Sequence, residues 1–343
     1  MPELRKDPII DRWVIIAAER GRRPHDFVVD SDPPSGAFCP FCPGNEGKTP
    51  PEIAQWGRES TDAPDTTGWR VRVVPNKFPA LTQEGTLDRQ GLGMFDMMNG
   101  IGAHEVVIES PRHDWDFAQA TPQETRDILC AYVARMNALR QDERFVYTLV
   151  FRNNGTVAGA SLAHPHSQII SVPIVPAQVK EHLDAARDYY REKTRCVFCD
   201  VIRQEVSMRD RVVEENEHFV VLSPYAARFP FQLQIFPRRH SHDFTQMTPL
   251  ETEALGDTLS RNLKRIKETL NNPAYNLMVQ SAPHEHPRTG RPEYWGTIAQ
   301  DYHWHIDILP RLTKVAGFEW GTGFYINPIA PESAAEYLRE AAI

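Results

Sequence analysis

The feature that most constrains the fold of this 343-residue chain is an internal repeat. Two CxxC pairs, at residues 39–42 and 196–199, are each followed by the same landmarks in the same order: a strand-like segment, a histidine after an arginine, a Thr-Pro helix start, a second strand and a His-x-His segment. This order predicts a duplicated α+β unit. The polar stretch 176–195 between the copies predicts a linking helix. We therefore expect an N-terminal domain at residues 1–180 and a C-terminal domain at residues 181–343.

Each copy also carries a helix signal. A Thr-Pro pair with a glutamate in the following turn predicts helices at about residues 122–141 and 249–270. Cys130 lies in the first of these helices, where we expect it to pack in the core. Strand-forming runs follow both helices, which is typical of an antiparallel sheet with helices packed on it.

The cysteines and histidines of the repeat predict two metal sites. Two thiolates separated by two residues can converge on one ion, although a redox pair of the thioredoxin kind uses the same spacing. The recurrence of histidines after each pair favours metal, and four ligands without an open position favour structural zinc. The alternative for His113 and His240, which each follow an arginine, is a surface position. The two predicted zinc sites are Cys39, Cys42, His113 and His164, and Cys196, Cys199, His240 and His303.

Composition excludes several classes of protein. Hydrophobic residues make up 41% of the chain and charged residues 24%, as in folded soluble proteins. No apolar run approaches the ~18–20 residues of a membrane helix, and the N-terminus has no apolar signal core. The net charge of −8 argues against nucleic-acid binding, and the odd number of cysteines, five, argues against a disulfide framework. We expect a cytoplasmic protein without membrane or nucleic-acid partners.

The segment HPHSQ at residues 164–168 predicts the chemistry. On a strand, His164, His166 and Gln168 share one face, so that a metal-bound His164 would fix the position of His166. A neutral imidazole with one nitrogen held as a donor is a good nucleophile towards phosphorus. A neighbouring amide can donate to a phosphoryl oxygen as negative charge develops on it. Two nearby histidines are also common as structural residues, and the repeated metal framework favours the catalytic alternative.

Two further segments predict phosphate contacts. The loop at residues 153–161 contains small and amide residues, among them Asn153 and Ser161, which allow close approach to phosphates; the alternative is a plain turn. Near the N-terminus, Arg20, Arg22 and Arg23 carry guanidinium groups suited to phosphate, or belong to a solvated basic loop.

The second His-x-His segment differs at one informative position. Asp307 stands where the first copy has Gln168. A carboxylate repels a phosphate, so we expect the second half to be catalytically silent and to supply structure and substrate contacts.

Taken together, these residues resemble the galactose-1-phosphate uridylyltransferases of the histidine-triad superfamily. The resemblance runs nearly end to end, and its most specific part is HPHSQ combined with the CxxC pair and the loop before it. It implies a duplicated histidine-triad half-barrel, with an antiparallel sheet and packed helices. It also implies a homodimer whose active sites are built from both chains.

The resemblance further implies a ping-pong reaction on nucleotide sugars and sugar 1-phosphates. His166 would attack the α-phosphorus of UDP-glucose and release glucose 1-phosphate. Galactose 1-phosphate would then attack uridylyl-His166 to give UDP-galactose. By this resemblance, Gln168, Asn153 and Ser161 match residues that contact the phosphates. Arg20 and Arg23 match two arginines that reach the phosphates bound by the neighbouring subunit, and Asn76 matches a nucleoside-binding position. The positions that match the zinc ligands are Cys39, Cys42, His113 and His164.

The chain departs from the best-known bacterial members at several positions. Its second Cys₂His₂ set replaces an iron-type site of one glutamate and three histidines, and Ser167 stands where glycine is frequent. Thr322 and Gly323 occupy the positions of a tyrosine-glutamate pair that resembles a hexose clamp. The C-terminal segment is instead similar to the ADP-glucose phosphorylases, which form an adenylyl-histidine and pass it to inorganic phosphate. Uridylyl transfer between hexose 1-phosphates is our main hypothesis, and adenylyl transfer to phosphate is the alternative within the same chemistry.

Three other classes compete with nucleotidyl transfer. A histidine-triad hydrolase would use water as the acceptor. The second class is a zinc-stabilised binding module. The presence of His166 and Gln168 in one half only argues against this class, because a binding module needs no nucleophile. Nucleic-acid binding by zinc ribbons is disfavoured by the net charge of −8.

Overall fold

The computed structural model describes residues 1–20, 23–27, 38–59, 61–286 and 295–343, without the side chains of Arg20 and His25. Its centre is a ten-stranded sheet in which every neighbouring pair is antiparallel. In chain order, the strands are β1 (Glu3–Lys6), β2 (Trp13–Ile16), β3 (Ala54–Trp56), β4 (Val71–Pro75), β5 (Gln90–Leu92), β6 (Phe95–Met97), β7 (Ala103–Ile108), β8 (Tyr147–Asn154), β9 (His166–Val172), β10 (Val212–Glu215), β11 (Phe219–Leu222), β12 (Leu233–Pro237), β13 (Tyr275–Gln280), β14 (His305–Pro310) and β15 (Tyr325–Asn327). The α-helices are α1 (Pro122–Leu139), α2 (Ala177–Lys193), α3 (Val197–Met208), α4 (Pro249–Leu270), α5 (Ile298–Asp301), α6 (Gly317–Thr322) and α7 (Pro331–Arg339).

The strand order shows the repeat directly. Across the sheet the order is β10-β11-β12-β14-β13-β8-β9-β7-β4-β3, so that each half contributes five strands and the two orders mirror each other. The halves meet where β13 pairs with β8, with Tyr275 opposite Asn154 and Val279 opposite Val150. Since these two strands satisfy each other's backbone groups, neither half has an open edge at the junction. One sheet therefore carries both His-x-His segments.

Helices α1 and α4 lie side by side over one face of the sheet. Each begins with a capping box, in which the side chain of Thr121 or Thr248 accepts from the backbone N–H of Glu124 or Glu251. Their close approach requires Gly256, because a Cβ there would lie 2.4 Å from Thr125 Oγ1. The predicted helix at 249–270 agrees with α4, whereas α1 ends two residues before the predicted limit of 141.

The opposite face of the sheet is covered unequally. Over the C-terminal half, α2 and α3 bury a cluster that includes Phe198 and Phe236. Over the N-terminal half, the second face carries only a small cluster of buried residues, in which Trp69 packs with Val106. The linking helix predicted within residues 176–195 is α2, and it covers the C-terminal half of the sheet.

The chain termini meet on the C-terminal half. Strand β15 adds in parallel to β2, which pairs with β1, and Val14 and Ile16 of β2 are buried against Ala226. Helix α7 then packs on α4 and β10. None of the described helices combines the length and the apolar composition that a membrane span requires. The predicted α+β class, with an antiparallel sheet and packed helices, is confirmed.

Candidate active site and metal centres

The first CxxC pair, His113 and His164 converge at the end of the N-terminal half-sheet. All four ligand atoms lie within 4.8 Å of one another. Cys42 Sγ is 3.4 Å from His113 Nδ1 and 3.6 Å from His164 Nδ1, and Cys39 Sγ is 3.6 Å from His164 Nδ1. A tetrahedral zinc ion with bonds of about 2.0–2.3 Å separates its ligands by roughly these distances.

The second cluster repeats this geometry in the C-terminal half. Cys196 directly precedes α3 and Cys199 lies in its first turn, so that a helix start presents this pair of thiols. Cys199 Sγ is 3.3 Å from His240 Nδ1 and 3.5 Å from His303 Nδ1. The four ligand atoms again lie within 4.8 Å of one another.

Backbone carbonyls set the tautomers of the ligand histidines. His164 Nε2 lies 2.8 Å from the Ser110 carbonyl oxygen, and His303 Nε2 lies 2.9 Å from that of Pro237. Since a carbonyl only accepts, each Nε2 carries the proton and each Nδ1 presents a lone pair to the thiols. This second layer of hydrogen bonds is what a metal-binding histidine requires.

The protonation of the thiols differs between the clusters. The hydrogen bond from Cys196 lowers the pKa of Cys199, which favours its thiolate, and the same bond raises the pKa of Cys196. Burial and the neighbouring Cys39 raise the pKa of Cys42 to about 11, and a dication would have to displace that proton. Both donor sets, two sulfurs and two imidazole nitrogens, suit zinc and could bind a metal ion.

The residue two positions earlier fixes the tautomer of His166. Its Nδ1 lies 2.8 Å from the carbonyl oxygen of His164, so Nδ1 carries the proton and Nε2 has the free lone pair. Burial lowers the pKa of His166, which keeps the ring neutral. The ring of Phe41, from the first CxxC segment, lies 5.5 Å from it. The first Cys₂His₂ cluster thus positions the ring of His166 through two contacts, the carbonyl of His164 and the ring of Phe41.

A cavity of about 530 Å³ opens at His166. The end of β8 supplies Asn153, the loop between β8 and β9 supplies Ser161, and the last turn of α4 contributes Lys267. The structure therefore brings the predicted nucleophile and these two predicted phosphate contacts into one concave site, next to the first Cys₂His₂ cluster.

Gln168 and Asn76 lie on the strand face beside this cavity, and His104 joins them. His104 Nε2 is 2.8 Å from Gln168 Oε1 and 3.0 Å from Asn76 Nδ2. His104 and Gln168 occupy neighbouring strands, β7 and β9, and all three side chains are partly buried. Gln168, His104 and Asn76 therefore form a row of polar side chains that runs from the strand of His166 towards the outer strands of the N-terminal half.

Under strand β9, Ser167 points to the helix side and enters a buried ionic cluster. Its hydroxyl donates to Glu109 and lies 2.6 Å from the Tyr132 hydroxyl. Glu109 also accepts from Arg152 Nε at 2.9 Å, with side-chain exposures of 0% and 4% for the pair. Burial opposes the charge of Arg152, but Glu109 raises the pKa of Arg152 above its usual value, so the guanidinium stays charged. This cluster anchors the strand that carries His166.

The C-terminal half places His305 differently. Its Nδ1 lies 3.2 Å from the His303 carbonyl oxygen, as in the first half. Its ring, however, packs against Phe198 and Phe236, with centroids at 5.6 and 5.1 Å, and borders a cavity of about 620 Å³. Its Nε2 is 3.9 Å from Asp307, a carboxylate that accepts from Gln234 at 3.0 Å. This imidazole thus has a carboxylate beside it where His166 has an amide two residues along the strand.

Of the three predicted arginines, Arg23 is the one whose side chain belongs to the described part of the chain. The side chain of Arg20 and the whole of Arg22 lie outside the described residues. Arg23 is exposed, its backbone N–H donates to Asp26 at 2.7 Å, and it does not line the His166 cavity.

Sequence reasoning missed His104 and the ionic cluster of Glu109 and Arg152. Polar residues inside the strand-like runs AHEVVIE and LVFRN were the available signal, since a charged residue in a buried strand needs a partner. The identity of each partner depends on strand register, which single-sequence patterns leave open.

Comparisons with known proteins agree over the whole chain. The N-terminal domain model of galactose-1-phosphate uridyl transferase matches residues 1–176, and the C-terminal domain model matches residues 182–340. An ADP-glucose phosphorylase of Arabidopsis thaliana is 37% identical, covering 100% of this chain and 93% of that protein. A galactose-1-phosphate uridylyltransferase of Thermotoga maritima is 28% identical, covering 100% and 99%.

A solved structure gives the same result in three dimensions. The crystal structure of an ADP-glucose phosphorylase from Arabidopsis thaliana with bound ADP-glucose superposes with a TM-score of 0.81 at 35% identity, covering 100% of both chains. The resemblance drawn from the motifs is confirmed. With both domain models matched along one shared sheet, the chain belongs to the galactose-1-phosphate uridylyltransferase family and is a nucleotidyltransferase.

Proposed function

We propose that the protein transfers a nucleoside monophosphate from a nucleoside-diphosphate sugar to an acceptor phosphate through a covalent bond to His166. One observation carries this proposal: His166 Nδ1 is tied to the His164 carbonyl at 2.8 Å, while the ring borders a cavity with Asn153 and Ser161. A buried neutral imidazole with one committed nitrogen has only Nε2 for attack.

Both steps balance on this nitrogen. The Nε2 lone pair forms a bond to the α-phosphorus while the bond to the bridging oxygen breaks, and a sugar 1-phosphate leaves. A phosphate oxygen of the acceptor then bonds to the same phosphorus, and the N–P bond returns its electron pair to Nε2. Gln168, Asn153 and Ser161 donate hydrogen bonds to the phosphoryl oxygens, whose negative charge grows in each transition state.

The main candidate for the substrates is UDP-glucose with galactose 1-phosphate, the pair that the family resemblance implies. A second candidate is ADP-glucose with inorganic phosphate. It is favoured by the 37% identity to an ADP-glucose phosphorylase against 28% to a uridylyltransferase, and by Thr322 and Gly323 at the positions of the hexose clamp. Both candidates share the nucleotidyl-His166 step.

The remaining assignments support this chemistry. Residues 1–180 form the catalytic domain and residues 181–343 a silent repeat, and zinc in each Cys₂His₂ cluster would hold its CxxC segment against the sheet. The enzyme acts as a cytoplasmic homodimer in which Arg20 and Arg23 of one chain reach the phosphates of the other. The exposure of Arg23, away from its own cavity, is consistent with this arrangement.

The first experiment is intact-protein mass spectrometry after incubation with UDP-glucose or with ADP-glucose, without acceptor. A UMP adduct that galactose 1-phosphate removes would establish the main candidate. An AMP adduct that inorganic phosphate removes would establish the second. If neither donor leaves an adduct while nucleotide still binds, covalent catalysis by His166 on these donors is wrong.

A further inference from the structure

The partners of His104 define its tautomer. The backbone N–H of Ala80 donates to His104 Nδ1 at 3.3 Å, so that in the neutral ring Nδ1 carries the lone pair and Nε2 carries the proton. Nε2 then donates to the Gln168 side chain, whose Oε1 lies 2.8 Å away. This assignment requires the carbonyl oxygen of Gln168, and not its NH₂ group, to face His104.

The strand register tells which way this bond turns the Gln168 amide. His104 stands opposite Ile170, two residues beyond Gln168, whereas His166 stands opposite Ile108 on the other side. His104 therefore holds Oε1 towards the end of β9 that lies away from the nucleophile. The Nε2 group of the amide is left for the His166 side, where a phosphoryl oxygen would need a donor.

We propose that His104 is a positioning residue that fixes the orientation of the Gln168 amide for phosphoryl binding. The inference rests on the proposed nucleotidyl transfer at His166. An amide is nearly symmetric in shape, and without His104 it can turn and present its carbonyl oxygen to the phosphate. That orientation replaces an attraction by a repulsion between oxygen atoms.

The same assignment affects Asn76. Its Oδ1 accepts from the Phe78 N–H at 2.9 Å, which directs Nδ2 towards His104 Nε2 at 3.0 Å. In the assigned tautomer both of these nitrogens are donors, so their contact is unfavourable. A bound group that accepts from Asn76 Nδ2 would relieve this contact.

The C-terminal half has a carboxylate, Asp307, at the position that matches Gln168. Asp307 has two equivalent oxygens, and they accept from Gln234 at 3.0 Å and from Gln280 at 3.4 Å. A carboxylate has no orientation to select. The half that has an amide at this position is also the half in which a histidine is bonded to that amide's oxygen.

The test is the single-turnover rate of adduct formation at His166, with the donor that labels the native protein. His104→Phe keeps an aromatic ring and removes the donor, and we expect the rate at saturating donor to fall about 10- to 100-fold with little change in the half-saturating concentration. His104→Gln, which retains an NH₂ donor, should recover part of the rate. Zinc content and Tm should stay at the native values for both variants.

A double-mutant cycle separates positioning from general damage. In a Gln168→Ala background, His104→Phe should change the rate less than about 2-fold, because there is no amide left to orient. An unchanged rate in the single variant, or an equal loss in both backgrounds, overturns the inference. Failure of the native protein to form any adduct would instead contradict the proposed function, so the two failures are distinguishable.

Discussion

The segments His164–Gln168 and His303–Asp307 occupy matching places in the two halves of one sheet. In each, the first histidine turns Nδ1 to a CxxC pair, and its carbonyl accepts from the Nδ1 of the next histidine, at 2.8 Å in the first half and 3.2 Å in the second. The surroundings of the second histidine differ: Asn153 of β8 and Ser161 of the following loop line its cavity in the first half, and Phe198, Phe236 and Asp307 lie beside it in the second.

This contrast separates the scaffold from the chemistry. The metal cluster sets the position and tautomer of an imidazole in both halves, and by itself does not make a nucleophile. Reactivity towards phosphorus also needs donors for the phosphoryl oxygens and room for the phosphate. The first half offers both, whereas the cavity of about 620 Å³ that His305 lines in the second half also holds the carboxylate of Asp307, which repels a phosphate.

The largest expected effect comes from removing one nucleophile candidate and keeping the other. His166→Asn should lower the rate of adduct formation by at least about 10⁴-fold, because His166 Nε2 forms the bond to phosphorus in the proposed mechanism. The matched variant His305→Asn should form the adduct at a rate within about 3-fold of the native protein. Quantitative mass spectrometry with zinc analysis checks both. Loss of zinc in His166→Asn would show that His166, and not His164, is the metal ligand.

Removing one metal ligand from each cluster tests whether the two clusters have different functions. Cys39→Ser should lower Tm by about 5–10 °C and nearly abolish adduct formation, because His164 and Phe41 would no longer hold His166. Cys196→Ser should lower Tm by a similar amount, and its folded fraction should still form the adduct. Equal losses of activity in the two variants, at a temperature where both are folded, would contradict the division between the halves.

The buried ionic cluster under β9 has no equivalent at the matching position of the second half, where Ile306 replaces Ser167. Glu109→Gln should lower the free energy of unfolding by about 3–5 kcal/mol, since it leaves Arg152 charged and unpaired in the interior. The exposed pair Arg126–Glu253, with exposures of 50% and 52%, is the control, and Glu253→Gln should cost less than about 1 kcal/mol. Chemical denaturation measures both. A cost for Glu109→Gln as small as the control would mean that water reaches the cluster.

Much of this arrangement could be predicted from the sequence because it depends on order along the chain. The repeat of CxxC, His and His-x-His assigned the eight members of the metal clusters, and the Thr-Pro starts placed α1 and α4. His104 and Glu109 were missed because their roles arise from contacts with Arg152, Ser167 and Gln168, which lie 43 to 64 residues away in sequence. Such pairs depend on register, and register is a property of the assembled sheet.

The smallest expected effect tests what silences the second half. Asp307→Gln restores the glutamine of the first half and should lower the free energy of unfolding by about 1.5–3 kcal/mol, through the loss of a charged acceptor for Gln234 and Gln280. In the double variant His166→Asn/Asp307→Gln we expect no adduct, because His305 packs against Phe198 and Phe236 and lacks the neighbouring Asn153 and Ser161 of the first half. Peptide mapping after incubation with the donor locates any label. A label on His305 would show that one carboxylate, and not the whole environment, keeps the second imidazole inactive.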